Sequence, residues 1–389
     1  MKQIALFVLL GINFSCFDAT AQKNWQYYFD QKYTSLCWSG TTIRENYQRI
    51  STSGNAYDFM GLSDIAGTLM YMYVATQNEE YLNDEIKIIN NVLSTAAVSK
   101  LIPGNQYPFK DDYLTWISRT RGYSYNNEAT LYEGYLFRYI TQFLYEIKKS
   151  GWVSRSDNNR DWYNSTLQFI EKNIWEKWIT RSKKINSNPY GIFLGSRTDM
   201  ASLWAFIGLV LKELTEKTEI KNQCHDVVNM YDTLLKRNLT FNTNFPDAYI
   251  WNSNWDNVEG TQGKLDPPPE IQDASHGNQV IAYIAISKRL NNPNWTNENI
   301  MPFCNTVKHV LFQKSTFTFA DNVDGSASDS RPGWGNSNAD GWLKLSLFDT
   351  ETLNLFLSFA YQRQDLLVKY GQELQYFATL AFIEHVLTQ

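Results

Sequence analysis

The fold is decided by the stretch "MGLSDIAGTLMYMYVATQNEEYLNDEIKIINNVL", residues 60–93. Apolar residues recur at three- and four-residue spacing over two segments, Met60 to Thr76 and Glu79 to Leu93, and a short polar turn separates them. This spacing is typical of helices that bury one face. The stretch therefore predicts a helical hairpin with a buried or half-buried first helix and an amphipathic second helix.

The same hairpin pattern returns along the chain. First helices are predicted at residues 128–148, 202–216, 279–290 and 345–362, and second helices at residues 162–178, 219–239, 297–312 and 365–387. The turns "TQNEEYL" (76–82) and "LNNPNW" (290–295) resemble each other, which indicates a repeating unit of about 60 residues. Sustained alternation with hairpin turn signals is missing from the sequence, so no major sheet is expected.

The number of hairpins predicts the fold class. Five hairpins, with room for one or two more in the N-terminal hundred residues, predict an all-α protein, an (α/α) toroid of about six to seven helical hairpins. In that fold the first helices line the inside of a ring and the second helices surround it. An open helical solenoid is the alternative.

The N-terminal residues predict export. Lys2 is followed by an apolar run at residues 4–12 and then by Ala19-Thr20-Ala21, a small-residue pattern that precedes signal peptidase cleavage. We expect a signal peptide at residues 1–21, cleaved after Ala21, and a single (α/α)-toroid catalytic domain at residues 22–389, periplasmic or secreted. No later apolar run approaches the roughly 18 residues that cross a bilayer, so no membrane span is expected.

Composition narrows the function classes. The net charge of −5 excludes the strongly basic surface of a nucleic-acid-binding protein. After the predicted cleavage site the chain keeps three cysteines, Cys37, Cys224 and Cys304, so at most one disulfide is expected. The chain holds 13 Trp, 24 Tyr and 22 Phe, and aromatic rings are the usual stacking partners of sugars. This excess favours a glycan as the substrate or ligand.

The loops that lead into the first helices are where we expect the chemistry, because in a toroid they meet at one end of the ring. They are "NAYDFMG" (55–61), "RGYSYNNEATLYEG" (121–134), "GSRTDMASLW" (195–204), "DASHGNQ" (273–279) and "RPGWGNSNADGWLK" (331–344). Helix capping accounts for Asp58, Asp199, Ser275 and Asp340, but it does not require the other polar and aromatic residues of these loops. The sequence therefore predicts a cleft lined by cations, amides, a histidine and rings.

His276 has two interpretations. Near a helix N-terminus it is either a hydrogen-bonded structural side chain or a general base, because histidine titrates near neutral pH and the helix terminus favours its neutral form. The other histidines, His225, His309 and His385, fall in second helices and are expected at the surface or in packing. Since no second histidine lies at ligand spacing from His276, neither a metal ion nor another cofactor is expected.

Two arginines and two asparagines of these loops are also open to two interpretations. Arg197 and Arg331 either pair with nearby aspartates or grip an acidic group of the substrate. Asn126 and Asn127 either cap the helix that follows them or hold a uronate carboxyl group.

The predicted cleft is compatible with two reactions. A glycoside hydrolase needs two carboxyl groups across the scissile bond, and Glu128, Glu133, Asp199, Asp273 and Asp340 supply candidates. A polysaccharide lyase instead neutralises a uronate carboxyl, abstracts the C5 proton with His or Tyr, and protonates the leaving oxygen, commonly with Tyr. The residue types concentrated in these loops are Arg, Asn, His and Tyr, which favours the lyase.

Three motifs add to the hairpin series: "YNNEATLYEGYL" (125–136), "GSRTDMASLWAF" (195–206) and "DASHGNQV" (273–280). On these grounds the chain resembles the exported (α/α)-toroid polysaccharide lyases of Bacteroidetes that cleave glucuronan, alginate or ulvan. Toroid alginate lyases often carry Asn-Asn-His at the first motif. This chain has Asn126-Asn127-Glu128 there, so the base of that family is not carried over to this place.

The resemblance implies β-elimination on an anionic, uronic-acid-containing polysaccharide, which leaves unsaturated uronate ends. Arg197 and Asn127 would bind and neutralise the uronate, His276 would abstract the C5 proton, and Tyr125 would donate to the leaving oxygen. A tyrosine such as Tyr125 or Tyr132 is the alternative base. Substrate contacts are expected from Asn126, Tyr132, Asn278, Arg331, Trp334 and Trp342. The alternatives are a toroid glycoside hydrolase acting on the unsaturated oligosaccharides that lyases release, and a glycan-binding protein without activity.

Overall fold

The computed structural model describes residues 18–37, 39–195, 197–255 and 270–389. Most of these residues are helical. The α-helices are α1 Asp18–Tyr33, α2 Ile43–Ile50, α3 Phe59–Thr76, α4 Glu79–Ser94, α5 Thr130–Lys149, α6 Asp157–Phe169, α7 Lys177–Ile185, α8 Gly191–Leu194, α9 Thr198–Leu214, α10 Thr218–Asn238, α11 Ala274–Arg289, α12 Asn297–Asn305, α13 Thr350–Gln362, α14 Gln364–Lys369 and α15 Glu373–Leu387.

Shorter elements connect these helices. Turns of 3-10 helix lie at Ala56–Asp58, Ser99–Leu101, Trp152–Ser154, Trp334–Asn336 and Trp342–Leu347, and π-helical turns lie at Ile170–Glu176 and Thr306–Leu311. The strands are β1 Ala97–Val98, β2 Leu114–Thr115, β3 Thr240–Phe241, β4 Tyr249–Ile250, β5 Phe312–Gln313 and β6 Thr318–Phe319. They form three antiparallel pairs, β1 with β2, β3 with β4 and β5 with β6, each only two residues long.

Six inner elements form a closed ring. Helix α3 packs against α5, α5 against α9, α9 against α11, α11 against the Trp342–Leu347 turn, that turn against α15, and α15 against α3. The predicted all-α (α/α) toroid is therefore confirmed, with six inner elements among the described residues.

Inner helices α3 and α9 are apolar on nearly all faces because each packs between two inner neighbours and an outer layer. Helix α3 buries most of its residues, and its one charged residue, Asp64, is exposed. Gly67 lets α3 approach α5 closely, since a Cβ atom there would lie 3.0 Å from the ring of Tyr139. Outer helices α4, α10 and α13 pack against α3, α9 and the Trp342–Leu347 turn, respectively.

The last hairpins differ from the sequence prediction, which placed one first helix at residues 345–362. The Trp342–Leu347 turn ends there, and Asp349 starts α13 by accepting a 2.9 Å hydrogen bond at Oδ2 from the amide of Thr352. Helix α13 is an outer helix, and α15 is the sixth inner element with α1 as its outer partner. His385 consequently lies on an inner helix. The apolar periodicity did not show which of these helices belongs to the inner layer, because both α13 and α15 bury an apolar face.

The structure tests only part of the predictions about export. The predicted signal peptide lies mainly outside the described residues and stays a prediction. Among the residues that are described, no helix combines the length and the apolar character needed to cross a membrane. Cys37, Cys224 and Cys304 are all free thiols, so the one disulfide that the sequence allowed does not form.

Candidate functional site

The loops that lead into the inner elements meet at one end of the ring, and we call this end the rim. Isolated backbone bridges join its segments: Asn55 with Ile117, Ser118 with Tyr125, Arg197 with Asn254, and Asp273 with Asn322. Residues far apart in sequence are therefore neighbours at the rim, as the sequence predicts.

His276 lies at the start of α11 between an acidic and a basic side chain. Its Nδ1 is 2.8 Å from Oδ2 of Asp273, and Nη1 of Arg331 lies 3.0 Å from Nδ1 and 3.2 Å from Nε2. Burial acts to raise the pKa of Asp273, but hydrogen bonds from His276 and Ser275 hold it well below its usual range. Both ring nitrogens of His276 thus face charged partners, which favours the structural interpretation over a free general base.

Arg197 pairs with a nearby aspartate, one of its two predicted roles. Its Nε lies 3.2 Å from Oδ1 of Asp199, which is buried in the first turn of α9. The guanidinium assigned to a uronate is therefore already in contact with a carboxylate.

The loop before α5 exposes two aromatic rings. Tyr123 and Tyr125 are 55% and 43% exposed, and the ring of Tyr123 lies 4.8 Å from the ring of Tyr57, centroid to centroid. Ser124 and Asn126 have φ angles of 50° and 57°, a left-handed conformation that is costly for residues other than glycine. The loop is thus held in an unusual conformation that leaves its tyrosines in solvent.

The two asparagines of this loop are used within it. Asn126 Oδ1 accepts a 3.1 Å hydrogen bond from Nη1 of Arg119, and Asn127 Nδ2 donates to the carbonyl of Tyr125 at 3.1 Å. Neither caps α5, whose N-cap residue is Ala129. Both predicted roles, helix cap and carboxylate ligand, are therefore replaced by a role in loop conformation.

Three residues predicted to contact the substrate are buried. Trp342 is 1% exposed, and its Nε1 donates to a backbone carbonyl at 2.8 Å. Asn278 Oδ1 accepts from the amides of Gly341 and Trp342, at 2.9 and 3.2 Å. Tyr132 is 3% exposed and packs edge-on against Tyr57. These side chains hold neighbouring rim segments together, and in this structure they offer no surface to a sugar.

Trp334 keeps the exposure that its predicted role requires. It is 48% exposed and contacts the ring of Tyr370 in an edge-on arrangement, with centroids 5.9 Å apart. It remains a candidate stacking surface. Its loop leads into the fifth inner element of the ring, whereas the loop of Tyr123 leads into the second.

Two of the five predicted carboxylates belong to buried ion pairs with the outer layer. Oε2 of Glu128 lies 2.6 Å from Arg181, and Oε1 of Glu133 lies 2.6 Å from Lys177. Both cations are on α7, outside the ring. These pairs fasten α5 to the outer layer and leave Asp199, Asp273 and Asp340 as the predicted carboxylates near the cleft.

Next to the rim, a cavity lies between α3, α5, α15 and the Trp342–Leu347 turn with the residues just before it. It is lined by Asp64, Gly67, Thr68, Tyr71, Tyr139, Ala339, Asp340, Lys344, Gln375 and Thr379. We call its charged and hydrogen-bonding residues, together with Arg138 of α5, the floor.

Asp340 is an anchored, ionised carboxylate of the floor. Oδ2 lies 2.8 Å from Nη2 of Arg138, Oδ1 accepts from the hydroxyl of Tyr139, and Nζ of Lys344 is 3.8 Å from Oδ1. Burial acts to raise the pKa of Asp340, but the charges of Arg138 and Lys344 lower it below the usual value. This carboxyl group stays charged at neutral pH.

Asp64 is a second carboxyl group of the same cavity, and its pKa is displaced in the opposite direction. Its residue is exposed to water within the ring, while the surrounding protein desolvates the carboxyl group and raises its pKa to about 7. The charge of Asp340 raises this pKa further, and Arg138 and a hydrogen bond with Gln375 act against the rise. Near neutral pH a substantial fraction of Asp64 therefore carries a proton.

Asp64 is the site residue that the sequence reasoning missed. It stands in "GLSDIAGTL" (61–69) as the one charged residue of α3. Besides burial, the charges of Asp199, Asp340 and Asp64 all raise the pKa of Tyr135, so each of the three carboxyl groups lies near this tyrosine. The sequence signal that could have identified Asp64 was a single charged residue in an otherwise apolar helix.

Two solved structures are similar to this chain in fold. Both are inactive variants of alpha-1,6-mannanase GH76A from Salegentibacter sp. HEL1_6, in which two consecutive aspartates are replaced. The complex with alpha-1,6-mannotriose has a TM-score of 0.47 and 10% identity, and the complex with alpha-1,6-mannotetrose has a TM-score of 0.46 and 9% identity. Each alignment covers 95% of this chain and 99% of the mannanase chain. No protein-family model and no curated protein matches the chain.

The predicted polysaccharide lyase is corrected by this comparison. Both similar structures are mannanases, not lyases that cleave uronic-acid polysaccharides. The predictions of lyase activity and of uronate specificity were therefore wrong. The geometry supplies a physical reason, because His276, Arg197 and Asn127 are each engaged by neighbouring groups. At 9–10% identity the likeness concerns the fold, and no residue role is transferred from it.

Proposed function

We propose that this protein is a glycoside hydrolase whose acid catalyst is Asp64. The observation that carries the proposal is that Asp64 and Asp340 line one cavity and that their pKa values are displaced in opposite directions. Glycoside hydrolysis needs one protonated and one ionised carboxyl group at the scissile bond. Environments that separate the pKa values of two neighbouring carboxyl groups are how proteins assign these two roles.

Asp64 supports the acid role by position as well as by protonation. It lies in the second turn of α3 and is exposed to water. A catalytic acid is most effective when its pKa is near the working pH.

Asp340 supports the role of the ionised carboxylate. Arg138 and Tyr139 fix both of its oxygens, so the carboxylate is oriented before a substrate arrives. Preorganised charge of this kind stabilises an oxocarbenium-like transition state.

The exposed aromatic residues of the rim support a glycan as the substrate. Tyr123, Tyr125 and Trp334 each keep a large exposed fraction, from 43% to 55%. Rings in solvent at the rim suit a sugar chain, which has apolar faces for the rings and glycosidic oxygens for an acid.

The test is to incubate the purified protein with alpha-1,6-mannan, a neutral glucan, glucuronan and alginate, and to follow reducing ends and ultraviolet absorbance together. We expect reducing ends to rise on at least one substrate without the absorbance of an unsaturated uronate. A parallel rise of both signals contradicts the proposal. Binding of oligosaccharide without any product would instead indicate a glycan-binding protein.

A further inference from the structure

A second cavity lies deeper on the ring axis, beneath the floor. Residues from all six inner elements line it, and its polar lining consists of Tyr71, Gln142, Arg289 and Lys344. Tyr71 and Lys344 also line the upper cavity, so they separate the two spaces. The lower cavity has room for one particle of about the size of a water molecule.

The lining of this lower cavity is cationic. Lys344 and Arg289 both border it, whereas no aspartate or glutamate is among its described lining residues. The carboxylates that pair with them lie outside it: Asp340 is 3.8 Å from Nζ of Lys344, and Glu146 Oε1 is 3.1 Å from Nη2 of Arg289. Two cations therefore line this cavity, and none of the described carboxylates borders it.

The partner of Lys344 is shared. Asp340 also binds Arg138 at 2.8 Å, so one carboxylate serves two buried cations. Burial lowers the pKa of Lys344 to about 7, and repulsion by Arg138 and Arg289 adds to this effect against the attraction of Asp340. The positive charge at this depth is thus only partly compensated, which is costly in a low-dielectric interior.

Gln142 provides an independent sign of a missing partner. It is 1% exposed, it lines the lower cavity, and its Oε1 has no hydrogen-bond partner, while the other end of the amide bonds to the hydroxyl of Tyr71. Rotation of the amide by 180° lets Oε1 accept from Tyr71 and turns Nε2 into the cavity as a donor. In that arrangement Lys344, Arg289 and the amide of Gln142 can all donate into the cavity.

We propose that the lower cavity binds a single small monovalent anion, chloride, between Lys344 and Arg289. The anion accepts hydrogen bonds from these two cations and from the amide of Gln142, and it compensates the charge that Asp340 shares between two partners. Phe206, Ile286 and Phe382 form the apolar part of the wall and keep bulk water away. The site is separate from Asp64, so it does not depend on the proposed hydrolysis.

The direct test is a crystal of the wild-type protein grown or soaked in sodium bromide, measured at the bromine absorption edge. We expect an anomalous peak in the lower cavity, in contact with Nζ of Lys344 and the guanidinium of Arg289. Density there without an anomalous peak would show a bound water only and overturn the proposal.

A measurement in solution uses the thermal midpoint in sodium chloride and in sodium gluconate at equal ionic strength. Gluconate is too large for the cavity, so we expect chloride to raise the midpoint of the wild type by about 3 °C more than gluconate does. The difference should vanish in Lys344→Met and shrink in Gln142→Leu. It should persist in the control Lys308→Met, whose ammonium group pairs with Asp349 and Glu351 on the outer layer.

Equal effects of the two salts on the wild type would overturn the proposal. If Lys344→Met does not fold, the wild-type comparison, Gln142→Leu and the bromide crystal still decide the matter. None of these readouts requires catalysis, so failure of the proposed hydrolase activity and failure of the anion site can be told apart.

Discussion

The rim and the floor hold similar residue types in different environments. At the rim, His276 and Arg331 are partly exposed to water, and the ring of His276 lies between Asp273 and Arg331. At the floor, the pair of Arg138 and Asp340 is buried, where charges influence one another more strongly. The comparison teaches that in this ring the polar loops show where a site lies, and that burial decides which carboxyl group can hold a proton at neutral pH.

The largest expected effect is at the floor. Replacement of Asp64 by Asn removes the acid while keeping the size of the side chain, and we expect kcat to fall by about 100-fold or more. The measurement is the steady-state rate on the substrate found in the panel. Asp58→Asn at the start of the same helix is the matched control and should stay within about twofold of the wild type. Equal losses in both variants would remove Asp64 from its proposed role.

The pH profile sharpens the same comparison. Since the acid must be protonated and burial raises the pKa of Asp64 to about 7, kcat/KM should fall by about tenfold per pH unit above that value. The profile is measured from pH 5 to 9 with a substrate that has no titrating group in this range. A flat profile through pH 8 would contradict the assignment of the acid to Asp64.

At the rim we expect a smaller effect. Alanine at position 276 breaks the contacts of His276 with Asp273 and Arg331 and should lower kcat/KM by about 5- to 10-fold through a displaced rim, because the ring is not the base. Steady-state kinetics together with a circular dichroism melt separate this effect from unfolding. A loss as large as that of Asp64→Asn, in a folded variant, would break the distinction between rim and floor.

The smallest effect is expected at the exposed ring of Trp334. Stacking on a sugar is worth about 1 kcal/mol, so Trp334→Ala should raise KM by about 3- to 5-fold with little change in kcat. Tyr361→Ala is the control, because Tyr361 is 60% exposed but lies on outer helix α13. A change in kcat alone, with KM constant, would argue against a binding role.

Much of the fold followed from apolar periodicity, because each hairpin repeats the same pattern of buried positions. The exception was the last inner element, where a 3-10 turn replaces a helix and a capping aspartate, Asp349, restarts the chain in the outer layer. A run of apolar residues alone does not distinguish these layers.

The site was predicted less completely than the fold. The loops that form the rim were recognised from their polar residues, but Trp342, Tyr132 and Asn278 are buried among them, which depends on tertiary packing. Asp64 was missed since it stands inside a helix, away from the loops. The Arg, Asn and His residues assigned to the uronate are engaged by other groups: Arg197 by Asp199, Asn127 by a backbone carbonyl, and His276 by Asp273.

Closure of the ring has a consequence for how the molecule is made. Helix α1 packs against α15, and Nε1 of Trp25 donates a 2.8 Å hydrogen bond to Glu384, 359 positions later in the chain. Contacts between such distant residues carry a large loop-closure entropy and form late in folding. The first hairpins can assemble during synthesis, but the circle is completed only after α15 has been translated, so a nascent chain interrupted before that point would leave the inner faces of α3 and α1 without their partner.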